Sequence, residues 1–441
     1  MRPGGELNSR AQARNPDTLP STHRNEGVGD CRLVDTRQTE TSPDQPRLTK
    51  SYADLALDLY RRLGNRRLPI QGTIDLTWRC NLACPHCYNR LPLHDRSALR
   101  TELTYEEHCR ILDEISEAGC LWLLFTGGEI FVRKDFCKIY LYAKQKGLLI
   151  TLFTNGTRIT PALADFLKEW PPFSIEITLY GRTRQTYERV TGVPGSYDRC
   201  LRGIRLLMER NLPLSLKTLL LTTNSHELGP IQAFVEQELG LPYRFDATVN
   251  PRIDCSLQPL AFRLDPQEIV KLDLRDEPRS MEWREFVDRQ PSPLSQSGDG
   301  LYECGAGIKS FAINPRGGLS LCAFAGVEGY DLKTGTFKEG WEGPVLTERN
   351  RKITRPTRCV RCAIKGACGM CPAYGRLENR DAEEPVDFLC ASAHLRYTAL
   401  GMPVPPHGDC PYCPGGMRHA EVMASAERIN RTNQPFLAQG V

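Results

Sequence analysis

The chain has 441 residues, enough for two or three domains, with 40% hydrophobic and 25% charged residues, an ordinary composition that buries a sizeable core. A net charge of only +4 gives no footing for a nucleic-acid partner or an anionic membrane surface. No stretch is apolar for long enough to span a bilayer, and residues 1–6 lack the hydrophobic run of a signal peptide, so the expected compartment is the cytoplasm.

Residues 1–48 are polar and rich in Pro, Arg, Thr and Asp, which predicts a disordered tail, with Cys31 in it unassigned. Residues 49–69 carry a helix, with Leu55, Leu59 and Leu63 on one stripe, followed by a basic run (Arg61, Arg62, Arg66, Arg67) read as solvated surface. From 70 to 250, strands alternate with helices. The strands fall at 74–78, 121–126, 148–153, 173–179, 213–221 and 243–249, and Thr104 with Glu107 predicts a capping box for the first intervening helix. Such alternation implies parallel pairing with right-handed crossovers. Six units are too few to close an eight-stranded barrel, so the fold class is α/β with a partial (β/α)6 barrel. Residues 251–300 read as a bridge ending in a Pro/Ser/Gly-rich boundary, with short helices at 266–274 and 281–289. Residues 301–400 form a cysteine-rich α+β section with a β-hairpin around residues 315–318, and 401–441 reads as a tail holding Cys410-Pro411-Tyr412-Cys413.

Eighteen cysteines without an export signal argue for metal ligation over disulfides. Cys80, Cys84 and Cys87 form a C-x-x-x-C-x-x-C loop directly after the first strand, where α/β folds place their chemistry. Three thiolates leave a tetrahedral zinc site or a cubane cluster one ligand short. A 4Fe–4S cluster with one open iron and a zinc site completed by His86 both fit the loop. After the second strand comes Gly127-Gly128-Glu129, with glycines that permit close backbone approach and a carboxylate able to accept from an ammonium group.

A cysteine loop and a Gly-Gly-Glu turn on consecutive strands resemble the radical S-adenosylmethionine (radical SAM) superfamily. The resemblance implies that Cys80, Cys84 and Cys87 hold a 4Fe–4S cluster whose open iron chelates S-adenosylmethionine. It implies that Gly127, Gly128 and Glu129 bind the methionine amino group. His86 would stand where the family usually has an aromatic residue beside the adenine. Asn155, Thr178 and Lys217 would face the nucleoside and carboxylate from successive strand ends, although Lys217 reads equally well as a solvated lysine. The implied chemistry is reductive cleavage of the cofactor and hydrogen abstraction, with a one-electron donor such as ferredoxin or flavodoxin.

Cys304, Gly317-x4-Cys322, Cys359-x2-Cys362-x5-Cys368-x2-Cys371 and Cys390 resemble the SPASM domain, which carries auxiliary clusters in many peptide-modifying members. The gap between Cys368 and Cys371 is two residues where the family usually has three. By this resemblance Cys304, Cys322 and Cys371 serve one auxiliary 4Fe–4S cluster, and Cys359, Cys362, Cys368 and Cys390 the other. Cys410 and Cys413 stand as candidates to complete the first set, or as a zinc-binding or idle pair. Cys109, Cys120, Cys137, Cys200 and Cys255 read as small buried hydrophobes. The implied substrate is a peptide or protein, with small-molecule (for example tetrapyrrole) biosynthesis as the enzymatic alternative and a non-catalytic metal scaffold as the alternative of another class. Ala323 follows Cys322 where sulfatase-maturing members have Asp, which argues against formylglycine formation. No room is evident before residue 70 for a leader-peptide-binding winged-helix domain.

Overall fold

The computed structural model describes residues 52–437 except 65, 276, 289–298, 327, 366–367 and 408. The tail expected at 1–48, with Cys31, and most of the boundary expected near 290–300 lie outside the described residues. The chain divides after Gly64; the helix Tyr52–Leu63 belongs to the first part and is described by itself.

From Asn65 onward one sheet of nine strands organises the protein. Its parallel core consists of β1 (Gln71–Thr77), β4 (Trp122–Gly127), β5 (Leu149–Thr154), β6 (Ser174–Thr178), β7 (Leu214–Leu219) and β8 (Tyr243–Asp246), adjacent in that order. The six expected strands are therefore present and parallel. A two-stranded ladder of β2 (Arg79–Cys80) and β3 (Leu91–Pro92) sits apart from the main sheet. Beyond β1 the sheet continues with β9 (Ser310–Ile313), β10 (Gly318–Ser320) and β11 (Tyr330–Asp331). β9 pairs parallel to β1, from Gln71↔Ser310 to Ile74↔Ile313, and β10 returns antiparallel. The hairpin of the cysteine-rich section thus extends the sheet that carries the cysteine loop. β8 and β11 are its two edges, so the barrel stays open.

Local sequence accounts for the elements. Thr104 accepts from the Glu107 amide at 3.2 Å while the Glu107 carboxylate accepts from the Thr104 amide at 2.7 Å, the capping box that starts the helix Tyr105–Glu117. Its Ile111, Leu112 and Ile115 recur on one face and are fully buried against the sheet. Along β5 and β6, Ile150, Leu152, Ile175 and Ile177 are buried, while Thr151, Phe153, Glu176 and Thr178 alternate onto the other face and stay partly open. That second, more polar face lines the interior of the open barrel.

Two expectations are corrected. Residues 401–441 are not simply a tail: a helix runs from His419 to Leu437, and its Val422, Ala426 and Ile429 are buried with Leu395 and Ala399 of the helix Asp387–Ala399. The i, i+4, i+7 spacing was present in the sequence but carried by only three small or medium side chains amid polar neighbours. Arg67 is not solvated: its Nε donates to the Gly307 carbonyl at 2.8 Å, and its guanidinium lies 3.9 Å from the centroid of the Trp341 ring. No helix among the described residues is long and apolar enough to cross a membrane.

Candidate active site and auxiliary metal centres

β1 breaks register between Asp75 and Thr77, and the chain passes through β2 to Cys80. The Gly-Gly-Glu turn packs directly on this segment. The Gly128 amide donates to the Thr77 carbonyl at 2.7 Å and the Glu129 amide to the Arg79 carbonyl at 3.0 Å. A Cβ on Gly127, whose φ is +126°, would lie 2.1 Å from the Thr77 oxygen; one on Gly128 would lie 2.4 Å from the Arg79 oxygen. The glycines are needed for approach to protein backbone at the root of the cysteine loop, a reason distinct from the ligand approach expected from sequence. Under the turn, Arg79 makes a two-pronged pair with Glu102 at 2.8 and 2.9 Å, both nearly buried, and Arg133 reaches the same carboxylate at 3.6 Å. Nothing in the sequence pattern singled out this network.

Cys80 and Cys84 are buried and Cys87 half-buried, packed with Leu82, Tyr180 and Val193. The Cys80 sulfur receives the Leu82 amide at 3.4 Å and Asn155 Nδ2 at 3.7 Å. The loop is held from outside: the Ala83 amide donates to the Thr191 carbonyl, and Arg252 donates to the Cys87 and Arg90 carbonyls at 3.2 Å each. Burial pushes the Cys80 thiol up to about 12, with Glu129 adding to it, and raises Cys84 and Cys87 as well; Cys84 is raised further by the neighbouring Cys87 and Cys80. Three sulfurs in electrostatic contact in a dry pocket are unfavourable as thiolates unless a cationic centre lies among them. This donor set fits a 4Fe–4S cluster held by three cysteines.

Glu129 is fully buried. Its carboxylate accepts from the Thr154 hydroxyl at 2.7 and 2.9 Å, the Asn155 amide at 2.8 Å and the Phe131 amide at 3.1 Å. Burial raises its pKa, opposed by those donors. The carboxylate thereby ties the end of β4 to the end of β5, and Asn155 links both to Cys80. His86 is buried, edge-on to Tyr180 at 5.1 Å between centroids, and its Nδ1 has no hydrogen-bond partner. Burial lowers its pKa to about 4, so the ring is neutral. Thr178 pairs in register with Lys217 across β6 and β7. Lys217 is not a solvated lysine: its Nζ sits 3.0 Å from the Phe153 ring centroid and 3.2 Å from Glu176, and burial lowers its pKa to about 8.

The seven downstream cysteines form two groups. Cys322 feels Cys371 and Cys304, and Cys371 feels Cys304, with burial the leading cause of the raised thiol pKa at Cys322 and Cys371. Cys359, Cys362, Cys368 and Cys390 line a single cavity; burial lifts Cys362 to about 11 and Cys368 to about 12. Cys410, His394 and His407 line this same cavity, and Cys413 interacts electrostatically with Cys410 and Cys362. The two tail cysteines are thus beside the second group, not the first, where the sequence reading had offered them. The reason is the C-terminal helix, which folds the segment back onto Asp387–Ala399. Of the remaining cysteines, Cys120 and Cys200 are buried as expected, whereas Cys109, Cys137 and Cys255 are only partly so.

Residues 74–234 match the family model described as the radical SAM superfamily. The chain is 25% identical over 359 residues to the AdoMet-dependent heme synthase of Methanosarcina barkeri, covering 77% of this chain and 96% of that protein. It is 32% identical over 176 residues to the PqqA peptide cyclase of Ruegeria pomeroyi, covering 40% and 46%. In fold it resembles Streptococcus suis SuiB bound to precursor peptide SuiA, with a TM-score of 0.58, 16% identity and coverage of 80% and 84%. Residues 74–234, the core built around Cys80, Cys84 and Cys87, thus make up a radical SAM domain, of a superfamily that binds a 4Fe–4S cluster and S-adenosylmethionine.

Proposed function

We propose that this protein is a radical SAM oxidoreductase that modifies a peptide or protein substrate. When bound, the cluster and S-adenosylmethionine together supply a 5′-deoxyadenosyl radical that abstracts hydrogen from an unreactive C–H bond. The protein's own part is to hold, orient and keep dry. In this reading Cys80, Cys84 and Cys87 ligate three irons. Gly127 and Gly128 seat the turn against their loop. Glu129, fixed by Thr154 and Asn155, receives the methionine ammonium. Lys217 offers its charge to the carboxylate, and Asn155 and Thr178 flank the nucleoside. His86 and Tyr180 give flat walls for the adenine, and the unpartnered His86 Nδ1 is a buried polar atom suited to a ligand hydrogen bond. Cys304, Cys322 and Cys371, and separately Cys359, Cys362, Cys368 and Cys390, would hold auxiliary clusters, which would supply a route for electrons from the substrate. The first cluster would need an electron from a one-electron donor protein.

The observation that carries the reading is the junction of Cys80, at the end of β2, with Glu129 and Asn155, which follow the neighbouring strands β4 and β5. The peptide substrate is supported by the 32% identity to a peptide cyclase over 176 residues. A second reading, action on a tetrapyrrole, is favoured by the similarity to a heme synthase along 77% of the chain. Anaerobically reconstituted, reduced protein should release 5′-deoxyadenosine from S-adenosylmethionine. The substrate class is tested by adding either a short peptide encoded beside this gene or an iron tetrapyrrole with propionate side chains. Faster release and a mass change on the peptide support the first reading; the same on the tetrapyrrole alone would replace it with the second.

A further inference from the structure

Outside the cluster cysteines, His394, His407, Cys410 and Cys413 converge at the base of the C-terminal helix. One ligand-capable atom from each lies within 4.8 Å of every other, and all four residues are buried. Cys410 Sγ is 3.4 Å and Cys413 Sγ 3.6 Å from His394 Nε2, and Cys413 Sγ lies beside the His407 ring, 3.4 Å from Nδ1 and 3.5 Å from Nε2. Bonds of about 2.3 Å to sulfur and about 2.0 Å to nitrogen, set at the tetrahedral angle, separate S from N by about 3.5 Å. The three Sγ–Nε2 separations match that spacing.

The ring orientations agree. His394 Nδ1 lies 2.7 Å from the Cys390 carbonyl and His407 Nδ1 2.8 Å from the Pro405 carbonyl. A carbonyl only accepts, so each Nδ1 carries the proton and each Nε2 keeps a free lone pair; that of His394 faces both sulfurs, and a small turn of the His407 ring brings its own to the centre. Ligating histidines are ordinarily fixed in this way by a hydrogen bond from the other ring nitrogen. Two thiolates and two neutral imidazoles around a divalent ion make a neutral unit, which is the form least costly to bury.

We propose that His394, His407, Cys410 and Cys413 form a mononuclear Cys2His2 site that binds zinc. Four protein donors leave no open position, so the site is structural. Cys359, Cys362, Cys368 and Cys390 make a full four-sulfur set of their own in the cavity that His394, His407 and Cys410 also line, so the iron–sulfur cluster there does not need these four residues. The site clamps the segment from His407 to the C-terminal helix onto the helix Asp387–Ala399. That helix gives Cys390 to the cavity and, one turn later, His394 to the zinc. The ion therefore braces the wall of the second auxiliary centre. In the sequence the signal is H-x12-H-x2-C-x2-C, and the long first gap hides it.

The test uses full-length protein produced in zinc-replete medium and reconstituted anaerobically, with zinc and iron counted separately. One zinc per chain is expected in the wild type, lost in the C410S/C413S double variant with iron unchanged. Absence of zinc from the wild type, or loss of iron with retention of zinc in the variant, overturns the proposal. Should the variant not fold, zinc X-ray absorption on the wild type decides. Two sulfurs at about 2.3 Å and two nitrogens at about 2.0 Å support the site, while any other donor set refutes it. None of these readouts depends on turnover.

Discussion

Gly127→Ala is the sharpest structural probe of the active site, because the added carbon meets backbone and cannot be relieved by a side chain swinging away. The new Cβ would sit 2.1 Å from the Thr77 oxygen, at a φ of +126° that residues with a Cβ rarely adopt. Overpacking of this kind costs up to about 3 kcal/mol, and the backbone strain adds about 1–2 kcal/mol. If the turn instead retreats, it gives up the Gly128 and Glu129 amide bonds to Thr77 and Arg79, at about 1 kcal/mol each. By the first route the loss is about 4 kcal/mol, a large part of a typical folding stability of about 5–15 kcal/mol. The assay is anaerobic denaturant unfolding of reconstituted protein, followed by 5′-deoxyadenosine release from the fraction still folded. Gly229→Ala is the control: Gly229 lies within a helix, has nothing within 4 Å of its added Cβ and does not have a positive φ. It should change stability by less than about 1 kcal/mol, on the stabilising side. Equal midpoints for the two variants, with normal cofactor cleavage by Gly127→Ala, would refute the claim that the turn holds the cysteine loop.

Two further outcomes follow from the same structure. Lys217 has a folded pKa of about 8, below that of a free lysine, so its charge is disfavoured in the folded state; stability rises with pH from about 8 to about 10, where the unfolded chain binds more protons. If its ammonium meets the cofactor carboxylate, S-adenosylmethionine binding weakens as pH climbs through about 8, and Lys217→Met weakens it roughly tenfold at pH 7 and flattens that pH profile; a profile identical to wild type excludes the contact. Replacing Cys359 and Cys390 together with Ala should remove about four irons per chain while the first cluster still cleaves the cofactor; unchanged iron would remove these residues from the ligand set.

The parallel core was legible because each strand is a short run of β-formers set between helix patterns with clear caps, as Thr104 and Glu107 show. The cysteine loop and the Gly-Gly-Glu turn were legible as spacings. What they touch was not. The sequence suggests that Gly127 and Gly128 admit a ligand, whereas their Cβ positions are filled by the backbone of Thr77 and Arg79. The pairing of β9 with β1 joins residues some 240 positions apart, and no local pattern encodes it. The same holds for Arg67 on Trp341 and for the meeting of His394 with Cys410. Cys410 and Cys413 announced a ligand pair, but which other donors they join depends on the C-terminal helix, whose apolar face is only a few residues wide. Lys217 shows the limit from the other side: strand position gave its place, while its burial over Phe153 came only with the barrel.

The central claim is that the loop from Cys80 to Cys87 is where S-adenosylmethionine is cleaved. Its most direct test is the Cys80→Ala, Cys84→Ala, Cys87→Ala triple variant, reconstituted anaerobically, reduced and supplied with S-adenosylmethionine beside the wild type. The wild type should release 5′-deoxyadenosine, and the variant should release none while keeping the iron of the downstream cysteines. Release by the variant, or none from an iron-loaded wild type, would contradict the account.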